Sequence, residues 1–254
     1  MAELRRATRV IGDVAALDYD DTLAFFEGRA DRADDLDRRT ITMYQDGRAA
    51  LAAARDEREV RDVMPHLQLD AQRTRVLDIG CGVARWGGHL AGRVAEYLGV
   101  DFSPGLVRLA NEDLAVAYPD GSGSAAVLSA TELDRGGLSE GGSDLIIVSG
   151  VMVYLNDEDC AAMLENVARL VAPGGQIYIR EPMARSERLT LCGHWSDELA
   201  ADYSAVYRSV ATYDELFANH LVGCDRTIGF ELAPELANRA ETAQFVSIHE
   251  RSVA

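Results

Sequence analysis

The sequence contains no lysine: all 25 of its Lys-plus-Arg positions are arginine. That absence excludes Schiff-base chemistry and the P-loop, both of which need an amine at a fixed place. It is read as GC-rich codon usage, not as a functional signal. Cysteine is scarce too. Cys81, Cys160, Cys192 and Cys224 are widely spaced and form no C-x-x-C pair, so free thiols in a reducing compartment are the simplest account. No apolar run is long enough to cross a bilayer, and Met1 to Val10 lacks the apolar core of a secretory signal. These absences make a cytoplasmic protein without a membrane partner the expectation. Basic charge is in deficit, with 42 acidic residues and a formal net charge of −17. Such a surface repels phosphate backbones and disfavours a nucleic-acid partner. It favours a cationic small molecule, although solubility alone explains it as simply. No His, Asp and Glu cluster has metal-ligand spacing, so no metal is expected. Ser149-Gly150 is not part of a G-x-S-x-G elbow, which removes a hydrolase.

What is present is a chain of 254 residues with 48% hydrophobic content, enough for one α/β domain with an appended subdomain. The first seventy or so residues read as helical. Leu23, Phe25 and Phe26 fall in a short segment, and Ala49 to Leu67 in a longer one with Val60, Val63, Met64 and Leu67 at helical spacing. From Arg75 the pattern alternates. Val76-Leu77-Asp78-Ile79 and Ala95 to Val100 read as strands. Ser103-Pro104 starts a helix that should bury Leu106, Leu109, Ala110 and Leu114. Ala125 to Leu128 is a weaker strand, and Leu145 to Val148 is apolar on both faces, as a central parallel strand must be. Asn156 should cap the next helix, which Pro173-Gly174-Gly175 ends. Ile177 to Ile179 makes a fifth strand that Pro182 should stop. Pro182 to Leu221 reads as mostly helical, and Thr227 to Glu231 and Phe245 to Glu250 as two final strands.

The chemistry concentrates at the strand ends, where open α/β sheets bind ligands. The first strand runs into Gly80-Cys81-Gly82, and the second ends at Asp101, a carboxylate placed to accept hydrogen bonds from a ribose diol. A dinucleotide fold wants G-x-G-x-x-G, but the third glycine position holds Arg85. Asp78, two residues before the first glycine, suits S-adenosylmethionine (AdoMet) better: that ligand carries an ammonium and a sulfonium and no phosphate.

Four ordered segments carry a family resemblance. Val76 to Gly82 resembles motif I of the class I AdoMet-dependent methyltransferases, and Gly99-Val100-Asp101-Phe102-Ser103 their ribose-binding motif. Asp144 to Val151 looks like their fourth strand, and Leu170 to Gly175 like the turn before the fifth. The resemblance spans about Arg75 to Glu181, with Ala84 in place of the family's third glycine. It implies a doubly wound, mostly parallel seven-stranded α/β sheet. An N-terminal helical cap (1–73) precedes the AdoMet-binding core (74–181); a helical lid after the fifth strand (182–222) and C-terminal strands (223–254) complete one domain. It also implies that Gly80, Cys81, Gly82, Ser149 and Gly150 line the methionine part, and that Asp78 acts through the amino group or water. Asp101 would hold the ribose, with Phe102, Ser129, Ala130 and Thr131 around the adenine. Phe25-Phe26-Glu27, Thr42 to Asp46 and Arg85-Trp86 resemble, more loosely, bacterial methyltransferases of polysaccharide and secondary-metabolite pathways, which places Tyr44, Arg85 and Trp86 near the cofactor's methionine end or the acceptor.

For the acceptor side, Tyr154, Arg180, Glu181, Tyr203 and Tyr207 are the candidates, with Glu181 the first choice for general base and Tyr154 the second. Tyr203 and Tyr207 share a helical face if the segment is helical. Each has a plainer reading as core packing or an ion-pair partner, as do His194 and Trp195. The acid-rich composition favours a nitrogen acceptor; a hydroxyl or carbon of a natural product, or a non-catalytic AdoMet-binding module, are the alternatives. A monomer or homodimer is expected.

Overall fold

The computed structural model describes residues 8–44 and 46–253. Its centre is a seven-stranded sheet built from β2 (Arg75–Ile79), β3 (Glu96–Asp101), β4 (Gly123–Val127), β5 (Ser143–Ser149), β6 (Val171–Ala184), β9 (Cys224–Leu232) and β10 (Thr242–Arg251). The spatial order is β4-β3-β2-β5-β6-β10-β9. β2 to β6 pair in parallel, and β10 runs antiparallel to both β6 and β9. β1 (Arg9–Ile11), α1 (Tyr19–Ala30), α2 (Arg38–Met43) and α3 (Ala49–Val63) precede this sheet. α4 (Arg85–Leu90), α5 (Pro104–Ala117), α6 (Asp157–Leu170) and α7 (Val210–His220) connect its strands.

β5 explains why both faces need helices. Successive side chains of a strand point to opposite faces. Ile146 and Val148 pack with Met163, Leu164 and Val167 of α6 and with Tyr213 of α7. Leu145 and Ile147 pack with Val63, Trp86, Leu90 and Leu114, from α3, α4 and α5. All four β5 residues are fully or almost fully buried, which accounts for the unbroken apolar run. The order of strands reverses between β2 and β5, so the crevice of the sheet opens at the turns after these two strands.

Four local expectations are corrected. The segment after β6 is not a helical lid. Leu189–Ser196 and Ala201–Tyr207 form β7 and β8, which pair antiparallel and join β1 in a second, three-stranded sheet. Leu189, Thr190 and Leu191 are all buried, so this stretch gives no alternating signal, and pairing with a strand about 180 positions away fixes its state. Tyr203 and Tyr207 therefore lie on a strand; four residues are two pleats, so they still share a face. β1 itself lies in a region read as helical.

β6 passes through Pro182 to Ala184. The Arg185 N–H donates to Glu241 and the Ala184 N–H to Arg208. By alternation, the proline's missing donor faces away from β10, where β5 has already ended. Finally, Asn156 stands at the N-cap of α6 but makes no cap bond. Its amide accepts from the Leu17 N–H (2.8 Å) and donates to the Leu17 carbonyl, fastening the chain that enters α1 to the core.

Candidate active site

The turn after β2 is shaped by backbone conformation. Gly80 and Gly82 have φ of +66° and +56°, a region that costs an L-residue roughly 1–2 kcal/mol. A Cβ on Gly82 would stand 2.7 Å from Thr42 Cγ2, and one on Gly80 would collide with the Val151 side chain. Ala84 also takes positive φ (55°) as it starts α4, so it occupies a glycine-like position under strain. Asp101 secures the turn from β3. One carboxylate oxygen accepts from the Gly82 N–H (2.9 Å) and the other from the Ser103 N–H (3.0 Å). Burial pushes its pKa up to about 6 against those bonds. Asp78, buried at the end of β2, accepts from the Tyr97 hydroxyl (2.6 Å), and burial raises it to about 7.

Every residue named above for the cofactor lines one cavity of about 500 Å³ at this crevice, from Tyr44 through the glycine turn to Ser129–Thr131 and Ser149-Gly150. The cap closes it. Phe26 of α1 meets Phe102 edge-on at 5.6 Å and Tyr154 at 5.0 Å. Glu27 accepts from Ser103 Oγ (2.5 Å) and the Gly105 N–H (3.0 Å), joining α1 to the start of α5. Ser103 remains the N-cap of α5. The donor set fits AdoMet: acids for a diol and a cation, a glycine wall that admits close approach, and Ser149 Oγ, buried in the wall with no partner among the described residues. AdoMet contributes a methyl group already attached to a good leaving group.

Two nominated residues have other duties as well. Arg85 borders the cavity, yet its terminal nitrogens are held by Asp56 (2.7 Å) and Glu59 (2.9 Å) of α3. Glu59 is buried and also accepts from the Trp86 indole (3.2 Å) and the Tyr178 hydroxyl (2.6 Å). Burial alone would raise Glu59; Arg85, Arg180 and the Tyr178 bond outweigh it and hold the pKa down to about 2. These α3 acids were missed in the sequence, where they look like a solvated helix face.

Glu181 is the clearer departure. It is fully buried and lines neither this cavity nor its neighbour. Its Oε1 accepts from the Val151 (2.8 Å) and Met152 (3.0 Å) N–H groups. Arg208, also fully buried, donates to the Met152 and Leu155 carbonyls, both at 2.7 Å. The short turn carrying Tyr154 is thus clamped from both ends. Burial raises Glu181 to about 7 against its backbone bonds, but a base must reach the proton it removes. Glu181 holds the turn through the Val151 and Met152 N–H groups and borders neither cavity, while its Oε2 is buried with no hydrogen-bond partner among the described residues.

A second, smaller cavity of about 150 Å³ adjoins the first and shares Tyr44, Ser149, Gly150, Tyr154 and Arg180 with it. Tyr203 and Tyr207 line only this second cavity. The Tyr154 hydroxyl is 2.9 Å from those of Tyr44 and Tyr203, and Tyr207 donates to Tyr203 at 3.4 Å. Burial pushes the Tyr44, Tyr154 and Tyr203 phenols well above their ordinary range, so these three hydroxyls are neutral.

Comparison with known proteins agrees with the geometry. A family model described as a methyltransferase domain matches residues 76–175. Phosphoethanolamine N-methyltransferase 1 of Triticum aestivum is 25% identical over 164 residues, covering 63% of this chain and 32% of the relative. Its namesake from Arabidopsis thaliana is 25% identical over 189 residues, covering 72% and 36%. The chain spans about a third of the length of these curated relatives. Among solved structures, phosphoethanolamine N-methyltransferase 1 of Haemonchus contortus superposes with a TM-score of 0.66 at 19% identity, over 91% of this chain and 50% of that one. A SAM-dependent methyltransferase from Leishmania major gives 0.64 at 16%, over 91% and 82%. At these identities the structures share the fold. Residues 76–175 thus carry a methyltransferase domain on a Rossmann-like sheet, and the glycine turn and the two strand-end acids fit AdoMet as its methyl donor.

Proposed function

We propose that the protein transfers the methyl group of AdoMet to an amine nitrogen of a small molecule held in the second cavity. The observation that carries this reading is the wall shared by the two cavities, where Tyr44 and Tyr154 stand between the cofactor chamber and a chamber too small for a macromolecule. Catalysis by such a site is mainly positioning. Gly80–Gly82 and Asp101 orient the cofactor, and the cap of α1 and α2 excludes water. The clamp of Glu181 and Arg208 fixes Tyr154 at the boundary.

A nitrogen acceptor must shed a proton. Among the described residues, the carboxylates that border the second cavity, Glu59 and Glu231, are held in ion pairs, and the hydroxyls of Tyr44, Tyr154, Tyr203 and Tyr207 form one hydrogen-bonded chain beside the wall. The Tyr154 oxygen accepts a hydrogen bond from the acceptor N–H, and the amine attacks in its neutral form, having given its proton to water before it is enclosed. The matched relatives named as phosphoethanolamine N-methyltransferases favour nitrogen over oxygen or carbon.

Incubation with methyl-labelled AdoMet and a metabolite extract tests this. The expected product is a labelled small amine. Tyr154→Phe should slow turnover at least tenfold with little change in affinity for S-adenosylhomocysteine. Label on a hydroxyl or carbon, or tight S-adenosylhomocysteine binding with no transfer to any extract component, would refute the reading.

A further inference from the structure

Two donors at the crevice lack an acceptor. Ser149 ends β5, and Arg180 stands opposite it in the register of β5 and β6. Residues paired in this way point to the same face of the sheet, and both side chains border the cofactor cavity and its smaller neighbour. Ser149 Oγ and Arg180 Nε are each buried without a hydrogen-bond partner among the described residues. An unpaired buried polar atom is costly, and two on paired positions mark a place where a ligand supplies the missing acceptors. The guanidinium is otherwise fixed. Its Nη1 donates to Gln244 Oε1 of β10 (3.1 Å). A Cβ on Gly150 would stand 3.4 Å from the same nitrogen, and Gly150 has a φ of +75°, so the group lies against a turn that suits glycine.

The charges around Arg180 balance before any ligand arrives. Arg85 and Arg180 face Asp56 and Glu59, and His89 and Arg39 also reach Asp56. Arg55 is close enough to repel Arg180 and is itself offset by Glu198. Glu59 lies 3.6 Å from Arg180 Nε, beyond hydrogen-bond reach, and its Oε1 already accepts from Arg85, Trp86 and Tyr178. The ligand that fits a balanced site brings both signs of charge. AdoMet does so at its methionine end, where a carboxylate stands beside an ammonium. Among the described residues that border the cofactor cavity, Arg85 and Arg180 are the cations, and Asp20, Asp78, Asp101 and Glu132 are the acids. The acids repel a carboxylate. Both terminal nitrogens of Arg85 are taken by Asp56 and Glu59, which leaves Arg180 as the cation with a donor to spare.

We propose that Ser149 and Arg180 bind the methionine carboxylate of AdoMet, Ser149 through its hydroxyl and Arg180 through its Nε–H, one donor for each oxygen. The assignment rests on the cofactor and not on which acceptor is methylated. It moves Arg180 from the acceptor side of the shared wall to the cofactor. Charge-assisted bonds in a place poor in water are strong and directional, so they fix the methionine arm and, through it, the sulfur.

Calorimetry on the full chain tests this with S-adenosylhomocysteine and its decarboxylated analogue, which keeps the nucleoside, the thioether and the amine. The unaltered chain should bind S-adenosylhomocysteine about tenfold or more tightly than the analogue. Arg180→Gln should weaken S-adenosylhomocysteine by about tenfold or more and leave the analogue within about twofold. Ser149→Ala should weaken S-adenosylhomocysteine by about threefold or more, again sparing the analogue. Because it removes an unpaired buried hydroxyl, it should leave the thermal midpoint of the ligand-free protein unchanged or higher. If Arg180→Gln does not fold, Ser149→Ala decides alone. Equal affinity of the unaltered chain for the two ligands, or losses in the variants that are the same for both ligands, would overturn the proposal. So would unchanged S-adenosylhomocysteine affinity in Arg180→Gln with methyl transfer lost, which would hand the pair to a carboxylate of the acceptor.

Discussion

Replacing Asp101 by asparagine isolates the contact on which cofactor binding depends. In the ligand-free protein both carboxylate oxygens are engaged, by the Gly82 and Ser103 N–H groups. Each oxygen has a further lone pair for a ribose hydroxyl. Asparagine keeps one acceptor oxygen and turns an NH2 towards a backbone donor. One backbone bond is lost, which costs about 1–3 kcal/mol. Part of that loss is offset because the amide needs no charge in a buried place. Two charge-assisted bonds to the ribose diol at about 1.5–3 kcal/mol each would also weaken. Since the amide retains one neutral bond, the net loss of binding is about 3 kcal/mol, or roughly 150-fold in Kd. Calorimetric titration with S-adenosylhomocysteine at pH 7.5 measures it, and circular dichroism reports whether the turn survives. Asp101 has a pKa of about 6 in the empty cavity, so wild-type affinity should also fall as pH drops from 7 to 5, and the variant should lose that component. An affinity within threefold of wild type, with the pH dependence intact, would refute the assignment of Asp101 to the ribose.

Three further outcomes follow from the same network. Glu59→Gln leaves Arg85 with one carboxylate in a buried setting; breaking such a pair should cost about 3–5 kcal/mol, seen as a lower midpoint in urea. Glu181→Gln keeps an oxygen for the Val151 and Met152 N–H groups, so turnover should stay within a fewfold at every pH; abolished turnover with normal stability would restore Glu181 as the base. Stability should also depend on pH in a definite sense. Burial lifts Asp78, Asp101 and Glu181 to folded pKa values of about 7, 6 and 7, above the ordinary 3.8, 3.8 and 4.5 of free carboxyls. Between pH 4 and 7 the folded state therefore holds more protons than the unfolded one, and the ligand-free protein should lose stability as pH rises through that window. Asp56 and Glu59, both held at about 2, act oppositely: their contribution is present above about pH 4 and lost as pH falls towards 2. Thermal denaturation from pH 3 to 8 should show a maximum near the lower end of this range, and an optimum above pH 7 would contradict it.

The cofactor chamber was legible because its determinants are local. Strand, glycine turn and strand-end acid lie within Val76–Asp101, and positive φ at Gly80 and Gly82 is a demand that sequence displays directly. The seven strands were legible from apolar runs, because a covered central strand such as β5 has nowhere to place a polar side chain. The lid was not: β7 and β8 exist as strands through pairing with each other and with β1, and Leu189–Leu191 carries no alternation to betray it. The ends of Asp56 and Glu59 were equally hidden, since their arginine lies 26 to 29 positions further on in another helix. Arg55 meets the Leu236 carbonyl across 181 positions, so no local pattern points to the second cavity. Glu181 was singled out as the first candidate for general base, but sequence could not tell whether its carboxylate faced a ligand or two backbone N–H groups.

A crystal structure with S-adenosylhomocysteine bound tests the division into two chambers most directly. The account places the ribose on Asp101 and the sulfur at the wall formed by Tyr44 and Tyr154. A nucleoside lodged in the second cavity, or a sulfur remote from Tyr154, would contradict it.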